Sequence, residues 1–159
     1  MKKKGNKYTI ALVAHDDCKK DLAEWVAFNK KKLSKHNIVS TGTTGRMVEE
    51  EINKGISANS REYITVTKLK SGPLGGDQQI GAMIADNAMD LLFFFWDPMS
   101  QHPHDVDVKA LLRIAVMYNI PTASNRATAD FIISSELFED DNYEKKVYEY
   151  KNYINRKIK

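Results

Sequence analysis

Cysteine is nearly missing from this chain: Cys18 stands alone among 159 residues. No disulfide can form within the chain, which fits a reducing cytoplasm. A lone thiol also excludes the zinc sites built from several cysteines. Long hydrophobic runs are missing too. The apolar run 10–14 is too short for a signal peptide and stops at His15-Asp16. The run 89–96 has the length of a buried strand, far short of a membrane helix. Charge of one sign is scarce. The formal net charge is +3, and much of the basic excess lies at the ends, in Lys2-Lys3-Lys4 and in 145–159. A solvated surface explains such ends without nucleic acid or membrane as partner. Nucleotide signatures are also lacking, since neither G-x-x-x-x-G-K-[ST] nor G-x-G-x-x-G occurs. No segment repeats and none is of low complexity.

What is present has ordinary proportions, 42% hydrophobic and 28% charged residues, in a chain long enough for one domain with a real core. The pattern alternates strand and helix. Strands are predicted over 8–14, 38–40, 63–69, 90–96 and 121–124. Helices are predicted over 21–33, 47–53, 79–87, 108–118 and 127–137. In 145–159, Val147, Tyr150, Ile154 and Ile158 recur at spacings that predict a basic amphipathic helix. Residues 55–62 are polar and rich in breakers, as an exposed connection should be. Strand 90–96 is apolar on both faces, as a central parallel strand must be. Trp25, Trp96 and Phe93-Phe94-Phe95 read as core. The expectation is an α/β protein: a single Rossmann-like domain over 1–159, with a parallel five-stranded sheet flanked by helices.

In such sheets ligands bind beyond the carboxyl ends of the strands. Those ends are the loops 15–17, 41–45, 71–78, 97–107 and 125–128. Loop 71–78 combines Ser71, Gly72, Pro73, Gly75 and Gly76 with one acid, Asp77. Such a loop can hold a carboxylate still beside backbone N–H groups, ready to take a proton from carbon next to a bound anion. A plain glycine-rich turn with Asp77 as helix N-cap is the competing reading. Thr41, Gly42, Thr43 and Thr44 offer hydroxyls and a close backbone at a helix start, a phosphate cradle. Ser71 and Gly72 can add a hydroxyl and an N–H, and Lys19 a positive charge. A threonine-rich N-cap competes there. Loop 97–107 gathers His102, His104, Asp105 and Asp107 behind Asp97. Neutral histidine can donate to a carbonyl oxygen, and a carboxylate behind it fixes the tautomer. The spacing matches no metal motif. Surface histidines compete with function for His102 and His104; nearby Asp107 and the other strand-end loops favour function for His104.

Taken together, the motifs Ala11-Leu12-Val13-Ala14-His15-Asp16, Thr41-Gly42-Thr43-Thr44-Gly45, Ser71-Gly72-Pro73-Leu74-Gly75-Gly76-Asp77-Gln78-Gln79, Phe94-Phe95-Trp96-Asp97-Pro98 and Pro103-His104-Asp105 closely resemble methylglyoxal synthase. The stretch 119–125 and Ala129-Asp130-Phe131-Ile132-Ile133 fit as well. The resemblance covers a core of about 8–134. It implies conversion of dihydroxyacetone phosphate to methylglyoxal and phosphate, without metal or organic cofactor. It also implies a cytoplasmic homo-oligomer, typically a hexamer, inhibited by phosphate. By resemblance Asp77 is the catalytic base, with His104 and Asp107 beside it. His15, Lys19, Thr41, Gly42, Thr43, Thr44, Ser71, Gly72 and His104 match substrate-contacting positions, and Asp16 and Asp97 match supporting acids. Arg113 and Arg156 or Lys157 match positions implicated in subunit communication. The chain departs from the family pattern in 49–70, where the connection looks longer.

The residues leave two other functions open. A triose phosphate isomerase needs the same base and the same enediol. A non-catalytic phosphate-sensing module needs only the threonine cradle, and has no use for Asp77, His104 and Asp107 together.

Overall fold

The computed structural model describes residues 7–157. Five strands, β1 (Thr9–Ala14), β2 (Asn37–Thr41), β3 (Thr67–Leu69), β4 (Leu91–Phe95) and β5 (Thr122–Ala123), form one sheet in the order β3-β2-β1-β4-β5. Every pairing is parallel. The helices are α1 (Lys19–Leu33), α2 (Gly42–Ile52), α3 (Gly76–Ala85), α4 (Asp105–Met117), α5 (Arg126–Ser134), α6 (Glu136–Glu139) and α7 (Lys151–Ile154). The expected α/β sheet flanked by helices is therefore the observed one.

Side chains alternate across β1, and each set finds its own cover. Ile10, Leu12 and Ala14 join Leu22, Trp25 and Val26 of α1, Val48 and Ile52 of α2, and Ala129 and Ile133 of α5. Ala11 and Val13 face the other way, against Ile80 and Ile84 of α3 and Val108, Leu111 and Ala115 of α4. Helices on both faces bury residues 10–14 and Leu91–Phe95, which is why both read as continuous apolar runs. After β1 the chain winds outward through β2 and β3, then returns to β4 on the other side. The carboxyl ends of β1 and β4 thus flank the point where winding reverses, the usual crevice for a ligand. The His15 N–H donates to Phe95 O across that point, at 3.2 Å.

Four expectations need correction. Residues 42–45 are not loop: Gly42, at φ 44°, turns β2 directly into α2, so Thr43 and Thr44 ride its first turn. Of the strand expected over 63–69 only Thr67–Leu69 pairs. Side chains take the backbone groups before it: Asn53 exchanges bonds with Ile64 N–H and C=O, and Glu49 accepts from Val66 N–H. The helix expected over 127–137 breaks at Ser135, which is extended and caps α6 through its hydroxyl. The long C-terminal helix reduces to Lys151–Ile154. Tyr150 interrupts it with a φ of 45°, and its hydroxyl donates to Met117 O. Val147, Tyr150 and Ile154 remain exposed, and a short helix with no face buried is marginal in water. Ile158 and the Lys2-Lys3-Lys4 run lie outside the described residues.

Candidate functional site

The loops after β1, β2, β3 and β4 close around a cavity of about 300 Å³. Its lining includes His15, Asp16, Lys19, Thr41, Gly42, Thr43, Thr44, Ser71, Gly72, Asp77 and His104, all of them singled out from the sequence. His102, Pro73 and Phe94 line it too. Asp97 and Asp107 do not line it.

One side of the cavity is built to hold an anion. Helix α2 begins with no side-chain cap, so the N–H groups of its first turn stay free beside the threonine hydroxyls. Lys19 opens α1 and donates to Thr43 Oγ1 at 2.5 Å. It also pairs with Asp16 at 2.6 Å, and that hydrogen bond and charge hold the exposed Asp16 carboxyl below its ordinary value. The loops after β2 and β3 are pressed together. A Cβ on Gly42 would meet Ser71 Cβ at 2.9 Å, and the positive φ adds strain, so glycine is needed there twice over.

The other side carries acid–base groups. Asp77 lies in the first turn of α3, 3% exposed. It is not the N-cap: Gly75 holds that place at φ 105°, and no side chain caps the helix. Burial pushes the Asp77 carboxyl above the usual range; His104 draws it down and Asp107 pushes it up. A Cβ on Gly72 would lie 3.2 and 3.3 Å from the Asp77 oxygens and 3.4 Å from His104 Nε2. A side chain there would crowd the space between carboxylate and imidazole and press both aside by a few tenths of an ångström.

His15 ends β1 with its tautomer settled. Its Nδ1 accepts the Asp97 N–H at 3.0 Å, so in the neutral ring Nε2 carries the proton. Burial lowers its pKa, helped by His102 and His104. Asp97 thus serves the site through its backbone. Its carboxylate turns to the following loop, where hydrogen bonds from Ser100 and Met99 hold it below the usual range. Asp107 makes no side-chain bond to His104, whose Nδ1 is without a partner.

Among the described residues, the buried side-chain atoms without a hydrogen-bond partner are His15 Nε2, Asp77 Oδ2, His102 Nε2 and His104 Nδ1. All four belong to residues lining this one cavity. Buried polar atoms are costly to leave unpaired, so their convergence marks a polar site that a ligand or ordered water satisfies. No three His, Cys, Asp or Glu side chains among the described residues are arranged to hold a metal ion. A second, wider groove lies by Thr9, Leu91 and Pro121, near the amino ends of β1, β4 and β5, and none of these orphaned atoms lines it. No helix among the described residues is long and apolar enough to cross a membrane.

Sequence reasoning named His102 in the acid–base loop but gave it no role in the site. It is half-buried, and its ring stacks on His15 at 3.9 Å, from a loop far away in the chain. No local pattern signals that pairing; only the shared strand-end position of the two loops hinted at it.

Comparison with known proteins agrees with this geometry. The family model described as MGS-like domain matches residues 21–124. A methylglyoxal synthase of Maridesulfovibrio salexigens is 55% identical over 152 residues, covering 94% of this chain and 96% of the relative. One from Proteus mirabilis is 51% identical over 150 residues, covering 94% and 91%. The crystal structure of methylglyoxal synthase from Elizabethkingia anophelis NUHP1 superposes with a TM-score of 0.83 at 47% identity, covering 98% of this chain and 95% of that one. Fold, motifs and near full-length identity lead to one conclusion: the chain belongs to the methylglyoxal synthase family.

Proposed function

We propose that this chain converts dihydroxyacetone phosphate into methylglyoxal and inorganic phosphate, as a carbon–oxygen lyase acting on a phosphate ester. One observation carries the chemical reading: a buried carboxylate, Asp77, faces His104 across Gly72 in the same cavity as an uncapped helix start. The phosphate sits among Thr41, Gly42, Thr43 and Thr44, with Ser71, Gly72 and Lys19 at its edge. Each charge-assisted bond there contributes ~1.5–3 kcal/mol before desolvation.

The triose then reaches the acid–base side. Asp77 takes a proton from the hydroxyl-bearing carbon. His104 donates to the carbonyl oxygen and stabilises the enediolate as charge develops. His15 offers a second fixed N–H, and Asp107 adds negative charge that keeps Asp77 basic. The enediolate pushes out phosphate, breaking the carbon–oxygen bond, and the released enol picks up a proton on carbon to give methylglyoxal. Acid–base steps supply ~10²–10⁴ each, so fixed dipoles and hydrogen bonds must do much of the rest. No step calls for a metal or an organic cofactor.

The fit of inorganic phosphate to the same cradle supports phosphate inhibition. Family membership supports a homohexamer, and the lone Cys18 a cytoplasmic setting. The test is turnover of dihydroxyacetone phosphate by wild type and by Asp77→Asn. We expect Asp77→Asn to lose turnover at least ~10³-fold while still binding phosphate, since a positioned base is removed and the cradle is untouched. Near-normal turnover in that variant contradicts the assignment. Glyceraldehyde 3-phosphate as product would make the chain an isomerase, and phosphate binding without turnover would make it a sensor.

A further inference from the structure

His102 is the cavity-lining imidazole that the proposed mechanism leaves unused. Its ring lies nearly parallel to His15, 26° between planes and 3.9 Å between centroids. Behind His15 the edge of Phe94 closes the other approach, with centroids 5.1 Å apart. His102 is 5.6 Å from His104, and His104 is 5.7 Å from His15. The three rings thus form a compact cluster, and His104 is the member that faces Asp77 over Gly72. A histidine recruited only for stacking has no reason to bury a bare nitrogen. Phenylalanine would stack as well, without the cost of desolvating a ring nitrogen. Yet His102 Nε2 is buried and unpartnered, as are His15 Nε2 and Asp77 Oδ2. His102 neighbours His104, whose Nε2 shares the space over Gly72 with the Asp77 oxygens, so the unmet nitrogen belongs with the acid–base end.

We propose that His102 is a substrate-contacting residue: it stacks on His15, and its Nε2 forms a hydrogen bond with an oxygen of the triose end. The stacked pair then presents two imidazole nitrogens side by side, and the substrate's oxygens are read by a pair of rings. This rests on dihydroxyacetone phosphate being the substrate.

Two variants separate contact from packing. His102→Phe keeps the stack and removes the nitrogen. His102→Gln removes the ring and keeps a hydrogen-bonding group. Steady-state kinetics would be measured for both. In an Asp77→Asn background, binding of dihydroxyacetone phosphate would be compared with binding of inorganic phosphate. We expect His102→Phe to lower kcat/KM about tenfold, the size of one hydrogen bond, and to weaken triose phosphate binding while sparing inorganic phosphate. His102→Gln should recover part of the loss. His102→Phe with wild-type kcat/KM overturns the proposal and leaves His102 as packing. Equal loss of both ligands overturns it too, by moving the contact to the phosphate end. If wild type fails to turn over dihydroxyacetone phosphate, the reaction reading fails, and the two binding measurements still decide the role of His102.

Discussion

Asp77 shows how a single residue couples stability to chemistry. Its carboxyl is pushed above the ordinary aspartate value of 3.8, first by burial. The unfolded chain carries it at the ordinary value, so folding disfavours the ionised form. That penalty is full above the raised pKa, fades as pH falls through it, and is gone below 3.8. Asp77→Asn removes the penalty, so its Tm should exceed that of wild type at about pH 7, and the two should converge near pH 4. A constant difference between the melting curves across that range would mean that Asp77 titrates as it does in water. The acid limb of kcat/KM should likewise lie above the range of a free aspartate. His15 has the opposite sign. Its native pKa lies below 6.5, so its neutral form is favoured and its share of stability is lost as pH falls from the unfolded value toward the native one. That Asp77, the threonines and Ser71 line one cavity was legible in the sequence, because loops at the carboxyl ends of parallel strands converge whatever the details of packing. The stack of His102 on His15 was not, because the two rings sit on different loops.

At the scale of elements, the edge of the sheet is held by one side chain from a helix. Glu49 of α2 accepts from Val66 N–H and Lys68 Nζ, both at 2.7 Å. Burial pushes its carboxyl up, but Lys68, the Val66 N–H and the Tyr63 hydroxyl outweigh it and leave the pKa lowered. The pair therefore helps at neutral pH, and its help is lost as pH falls through the lowered pKa. Lys68 also leans on Gly45, where a Cβ would meet its Cγ at 3.0 Å, so the clip braces the helix whose first turn lines the cavity. Glu49→Ala leaves the buried Val66 N–H region short of an acceptor and should lower stability by about 1–3 kcal/mol at pH 7, read from urea unfolding. An unchanged unfolding midpoint would show that β3 needs no clip. This is the region where sequence and structure part: alternation over 63–69 looked like a full strand, but long-range acceptors from Asn53 and Glu49 displaced the ladder. The C-terminal helix failed for a related reason. Its periodicity was real, but a short apolar stripe stays helical only when another surface covers it.

At the scale of the molecule, a parallel five-stranded sheet flanked by helices followed from strand–helix alternation, which needs only the hydrophobic pattern; the strand order and its reversal between β1 and β4 came from the structure. Surfaces between copies are not written that way. Phe28, Met99, Val106, Val116 and Phe131 are each at least 71% exposed, apolar surface that contacts between copies would cover. Arg113 lies on the exposed side of α4, and Arg156 stacks over Tyr153 at 3.6 Å near the chain's end, away from the cavity of its own subunit. Sedimentation at micromolar concentration should give six times the 18.1 kDa chain mass; a monomer would sink that part of the account.

The most direct measurement is of products. Purified chain is incubated with dihydroxyacetone phosphate, with no metal or cofactor added, and methylglyoxal and free phosphate are quantified together. The account predicts equal release of both by wild type and neither from Asp77→Asn. Glyceraldehyde 3-phosphate instead, or phosphate binding with no product, would contradict it.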